Sequence, residues 1–255
     1  MIELTYIDVL LSALLVALAI ALSLWWKIPA EKDMAIGSVR AFIQLVAVGY
    51  ALKYIFALES GWLVLLVLVV MTVVGAHAAA GRIKNFKGAF LINFAAMTIG
   101  SAVTIGVLLA LGVISFKAQY VIPLAGMIIG NSMNASALTA DRIVSDIRRN
   151  RPAIETALAL GKTWRDASRP FQKEAAMAGM MSMLNFLKTV GIVALPGAMT
   201  GMILAGAEPV KAILLQVVVA YMLLGAVTIT SIVALELTIR RFFSPHHQLL
   251  LDRIC

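Results

Sequence analysis

Apolar runs about 20 residues long recur along this chain, and they limit what it can fold into more than any other feature. At 1.5 Å of rise per residue, such a run crosses a hydrocarbon core of about 30 Å as a helix. The runs fall at about 5–26, 37–57, 61–80, 89–114, 119–140, 178–206 and 211–239. Backbone N–H and C=O groups find no water in lipid, so each run has to satisfy its own hydrogen bonds. The reading is an all-α polytopic membrane protein of about seven transmembrane helices, with 1–255 as a single transmembrane domain. A mean hydropathy of +0.97 agrees. So does a charged fraction of only 13%, where soluble domains carry about a quarter.

The first run carries Glu3 and Asp8 in place of a basic leader, so it reads as a span and not as a cleaved signal. One cysteine, Cys255, excludes an internal disulfide or a cysteine metal cluster. A net charge of +8 is read as cytoplasm-facing membrane loops and not as a nucleic-acid surface. Lys27, Lys32 and Arg40 flank the first connection, Arg82, Lys84 and Lys87 fill the third, and the fifth is rich in arginine. Arg240, Arg241 and Arg253 lie in the tail. The alternate connections, "LESGW", "SFKAQ" and "GAEPVK", are poor in basic residues. Positive residues favour the cytoplasm, which puts the N-terminus outside and the C-terminus inside. An odd number of spans requires the same.

The fifth connection, about 141–177, is the one long polar segment. Pro152 suits the first turn of a short helix, and Glu155 is expected in that same turn, against the positive end of the dipole. Ala157, Leu158 and Leu160 give the helix an apolar side, and Gly161 can end it in a left-handed conformation. Thr163 then caps a second helix, with Asp166 three residues on. A helix–Gly–helix elbow of this kind fits two uses: docking into a groove on a soluble partner, or lying on anionic lipid. The "GKT" at 161–163 is not a phosphate loop, because position 156 is Thr where a glycine is needed and no strand precedes it.

"ETALALGKTWRDA" is similar to the Glu-x-Ala-x-x-x-Gly coupling loop of ABC transporter permeases, in the version that continues Gly-x-Thr-x-x-x-Ala. The wider stretches "RAFIQLVAVGYALKYIF", "YVIPLAGMIIGNSMNASAL" and "KTVGIVALPGAMTGMILAGAEPVKAILLQ" resemble the FetB (YbbM) family of bacterial permeases over roughly residues 36–240. The resemblance implies an inner-membrane permease that exports iron with a separate, FetA-like ABC ATPase subunit. Plant relatives of that family are associated with aluminium tolerance. ATP and magnesium would then sit on the partner, with no cofactor on this chain. Glu155, Ala157, Leu160, Gly161, Thr163, Trp164 and Ala167 would form the ATPase-coupling loop. The chain departs from importer loops in having Pro170 and Phe171 where those carry Ile-x-Leu-Pro. One elbow per chain and a dimeric ATPase imply a permease homodimer.

Polar groups at membrane depth are costly and mark candidate pathways, although amides and hydroxyls also hold membrane helices together. Gln44 beside Arg40, Asn131 and Asn134 after "GMIIG", Asn185 and Lys188 are the candidates, with Asn93, Gln216 and Tyr221 also inside spans. Lys188 lies near the bilayer centre if span six starts at Met177, and at its edge if it starts at Thr189. Pro196 is expected to break a backbone hydrogen bond within span six. Met127 and Met199 belong to a methionine-rich set whose soft thioethers suit Cu(I) better than hard cations. No metal-ligand set is assigned. His77 has no partner at ligand spacing, and "SPHHQ" reads as a solvated turn. Glu236 can pair with Arg240, one turn on. An ATP-independent metal channel or ion-coupled carrier is the alternative function, which leaves the elbow unexplained. A membrane-embedded enzyme would need a nucleophile–base or metal constellation that the residues do not supply.

Overall fold

The computed structural model describes residues 6–58, 60–83 and 86–250. Glu3, Lys84, Arg253 and Cys255, named above, and Glu59 of "LESGW" lie outside them. Among the described residues the chain forms α1 (Tyr6–Trp25), α2 (Glu31–Leu58), α3 (Gly61–Ala80), α4 (Ala89–Ala110), α5 (Ala118–Arg149), α6 (Arg151–Ala159), α7 (Trp164–Thr189), α8 (Gly197–Leu204) and α9 (Pro209–Ile239). Five of them, α2, α3, α4, α5 and α9, are long and apolar enough to cross a membrane, and Leu11–Trp25 is a shorter apolar helix. The protein is an all-helical polytopic membrane protein.

The chain divides into two compact units, Met1–Ser60 and Gly61–Cys255. In the first, α1 packs on α2, and the turn between them is closed by the Ser23 hydroxyl, which donates to the Ile28 carbonyl at 2.9 Å. No residue of α2 is buried.

In the second unit α5 packs against α3, α4, α7 and α9, and α9 also touches α4, α7 and α8. Small residues let these backbones approach, as is usual where lipid removes any hydrophobic drive between helices. A Cβ on Gly179 of α7 would collide with the Thr139 hydroxyl, the Ala135 carbonyl and the Ser231 hydroxyl. One level along, the Thr230 hydroxyl of α9 donates to the Ser132 hydroxyl of α5 at 3.1 Å, in a fully buried pair. Two apolar clusters fill the unit. One holds Met97, Ile128, Met183 and Met222; the other, at the α6 end, holds Ile143, Ile147, Ile154, Ile239 and Phe242.

Two expectations need correction. The span expected at 178–206 is not one helix: α7 starts at Trp164 and stops at Thr189, and α8 starts at Gly197. Pro196 therefore does not interrupt a helix. It caps α8 in an extended conformation, the one its ring and missing N–H favour just ahead of a first turn. In the 190–196 link the N–H groups of Ile192, Val193 and Ala194 are all directed to the Thr189 carbonyl at 2.9–3.2 Å. The segment at 141–177, expected to carry a helix–Gly–helix elbow, is helical almost throughout. Nine residues of α5 occupy its start, and α6 and α7 fill most of the rest.

Candidate functional site: an elbow and a cavity joined by two helices

Local chemistry builds the elbow. α6 ends at Ala159 with Leu160 as its cap; beyond it the Gly161 N–H donates to the Leu158 carbonyl at 3.0 Å and the Lys162 N–H to the Ala157 carbonyl at 3.1 Å. This double closure needs a left-handed residue between, and Gly161 has φ +83. Thr163 caps α7 as its spacing predicts. Its hydroxyl oxygen accepts from the Asp166 N–H at 3.2 Å and donates to Asp166 Oδ2 at 2.6 Å. The "GKT" is thus a helix–helix turn.

The faces differ from the expected ones. Glu155 lies beyond the first turn, because α6 already begins at Arg151 with Pro152 next; it pairs with the Arg151 guanidinium at 2.8 Å. Leu160 is not on the apolar side. It is 77% exposed, whereas Ile154 is fully buried and Ala157, Leu158 and Trp164 pack beside it against the unit's own core. Ala167 is buried in the same cluster. The apolar face of the elbow is therefore used internally, and its outer surface is Leu160, Gly161, Lys162 and Thr163.

The elbow is also tied to the end of α9. The Trp164 ring stacks on Phe243 at 5.4 Å between centroids, and the Arg165 guanidinium lies over the Trp164 ring. Arg165 pairs with Glu236 at 2.9 Å, and Arg240 pairs with the same carboxylate at 2.7 Å. His247 is more than a solvated turn residue: its Nδ1 accepts from the Trp164 N–H at 3.3 Å. Spacing within one helix cannot reveal contacts made across 71 and 83 residues of chain.

The candidate pathway residues separate in space. Met127 and Asn131 of α5 and Pro196 line a cavity of about 290 Å³ together with Met183 and Phe186 of α7 and Gln216 of α9. Gln216 is 6% exposed, and its Oε1 has no hydrogen-bond partner. Asn131 donates its amide to the Met127 carbonyl at 2.8 Å, which leaves its own carbonyl oxygen to offer. Asn134 is elsewhere, accepting from Arg82 at 3.0 Å. Asn185 and Lys188 are exposed near the end of α7, Met199 is half-buried in α8, and Gln44 is exposed on α2. Ser182, Gly197, Ala198, Val219 and Leu223 complete the lining. An amide inside an apolar run marked Gln216 as unusual, but only the packing of α9 on α5 and α7 gives it neighbours.

From Trp164 to Met183, α7 covers about 28 Å at 1.5 Å per residue, and α9 covers about 30 Å from Gln216 to Glu236. Elbow and cavity are thus opposite ends of the same two helices.

A family model described as "Uncharacterised protein family (UPF0014)" matches residues 6–243. The chain belongs to the UPF0014 family. Within it, the chain is 38% identical over 244 residues to the "Probable iron export permease protein FetB" of Escherichia coli (strain K12), covering 96% of this chain and 94% of that one. It is 38% identical to the "UPF0014 membrane protein STAR2" of Oryza sativa subsp. japonica, covering 92% and 82% of the two chains. It is also 38% identical to the "Protein ALUMINUM SENSITIVE 3" of Arabidopsis thaliana, covering 92% and 86%. No solved structure matches. The resemblance read from the permease-like stretches is borne out, and the names within the family support a membrane permease.

Proposed function

We propose that the chain is the membrane subunit of an ATP-driven exporter of iron, working as a homodimer with a separate ATPase that binds ATP and magnesium. The observation that carries this reading is the continuity of α7: its first turn forms the elbow, and its later turns line the cavity. A partner that pushes on Leu160 and Gly161 acts on the start of α7, a single helix that runs on past Pro170 to the cargo space. The internal use of the apolar face supports the same reading, because it holds the elbow on a packed core and leaves its tip as a lever. Iron as cargo is supported by the name of the Escherichia coli relative.

Dimerisation is supported by α2, which buries none of its residues yet carries Arg40 and Gln44 within an apolar helix. Such groups are expensive facing lipid and are usually turned to protein or water. The elbow and its arginines belong to the cytoplasm in this reading, in a bacterial inner membrane, with the N-terminus outside.

The test is reconstitution. The chain, purified from cells with the soluble ATPase that accompanies it, is placed in vesicles that receive ATP and radioactive iron from outside, the side on which the ATPase sits. ATP-dependent movement of iron is expected. Movement that is independent of ATP, or the absence of any associated ATPase, would return the function to a channel or carrier.

A further inference from the structure

The cavity between α5, α7 and α9 combines three properties. It holds a nearly buried amide whose carbonyl oxygen meets no donor, and a buried acceptor of that kind is normally paired. It includes the thioethers of Met127 and Met183, soft groups that bind hard cations poorly. And none of the residues lining it is ionisable. Among the described residues, moreover, no three His, Cys, Asp or Glu side chains come together to hold a metal.

We infer that this cavity takes its metal as an uncharged complex, whose own ligands neutralise the ion and present N–H or O–H donors to the Gln216 carbonyl. The inference rests on the metal-export reading and adds the chemical form of the cargo. A bare cation loses its hydration on entering such a site and meets no opposite charge in return, which is the least favourable way to bury a charge. An anionic chelate meets no cation and is penalised for the same reason. A neutral complex brings its charge compensation with it. Its apolar ligand edges then lie against Met127, Met183 and Phe186, and a donor on its ligands meets Oε1 of Gln216. The volume of about 290 Å³ is far larger than a bare ion requires. Pro196, which caps α8, contributes an uncharged residue to the wall.

Three forms of iron separate the possibilities. The full chain, in lipid nanodiscs and without ATP, is equilibrated with aqueous ferrous ion, with anionic ferric citrate, and with tris(acetohydroxamato)iron(III), which is neutral and carries three N–H donors. Retained iron is then measured. The neutral complex should be retained about tenfold or more above the other two. Gln216→Leu should remove about tenfold of that retention, while helicity and monodispersity confirm that the variant is folded. Gln216→Glu, of nearly the same shape, should move the preference to the ferrous ion. The ranking in the unaltered chain tests the inference even if a variant fails to fold. Preference of the unaltered chain for ferrous ion or citrate, or undiminished retention of the neutral complex by folded Gln216→Leu, overturns the inference and leaves iron export standing. Retention of no iron species overturns both.

Discussion

The Arg165 guanidinium of α7 lies 2.9 Å from the Glu236 carboxylate of α9, and Arg240 reaches the same oxygen from one turn further along α9. Both partners of the interhelical pair are more than a third exposed, so the pair contributes little to stability, about 0.2–1 kcal/mol by analogy with other exposed pairs. Its position matters more than its strength. It couples the first turn of α7, which is half of the elbow, to the helix that carries Gln216.

That relationship makes a prediction that separates coupling from folding. Arg165→Met and Glu236→Gln should each lower ATP-driven transport several-fold while shifting the unfolding midpoint only slightly. The double variant should be no worse than the poorer single one, because both remove the same link. Additive losses in transport assays would mean that the two residues act separately.

At the elbow, exposure decides which residue acts on a partner. Leu160→Glu should leave the permease folded and inserted but reduce ATPase stimulation, since Leu160 projects from the tip. Ile154→Ala should instead destabilise the elbow, by about 2–5 kcal/mol for a fully buried isoleucine. Thermal unfolding and ATPase assays run side by side distinguish the two, and normal stimulation by the Leu160 variant would remove the tip from the coupling role.

Two glycines test two different physical costs. Nothing lies within 4 Å of a Cβ at Gly161, so Gly161→Ala is strained only by its left-handed backbone, about 1–2 kcal/mol. Gly179→Ala places its methyl against the Thr139 hydroxyl and the Ala135 carbonyl, and α5, α7 and α9 have to separate. The second should lower the melting temperature more than the first. Equal shifts would show that the α5–α7 contact can relax.

In the cavity, Asn131→Leu should impair iron transport at matched expression, because its carbonyl oxygen is lost from the lining. Met199→Leu should be nearly silent, as volume-conserving apolar swaps usually are; its side chain is half-buried on α8. Asn134→Leu should act through the loss of its hydrogen bond with Arg82 and leave cargo selectivity unchanged. A change in selectivity in the Asn134 variant would extend the pathway towards α3.

Orientation is checked with fused reporters. One placed after Arg149 should read as cytoplasmic and one within 59–62 as external. The reverse pattern would put the elbow out of reach of any cytoplasmic ATPase.

Much of the architecture was legible along the chain because it depends on local, repeated properties. Apolar length marked α3 at 61–80 residue for residue, and α9 within two residues. Gly161 and Thr163 announced their turn and cap because those motifs close over fewer than seven residues. Span six reads as one helix along the chain, since apolar composition continues through 190–196 while the helix does not. The outward turn of Leu160 was also hidden: which side of a nine-residue helix is covered depends on Ile147, Phe242 and Phe243, all from other elements. The pairings of Arg165 with Glu236 and of Trp164 with His247 and Phe243, and the gathering of Asn131, Met183 and Gln216 around one cavity, likewise needed the folded chain. Residue order carries hydrophobic length, capping and charge bias, because each is satisfied within a few turns of helix. It does not carry which helix faces meet, because that is settled by close packing among small residues such as Gly179, Thr139 and Ser231, distant in the chain and adjacent only once it has folded.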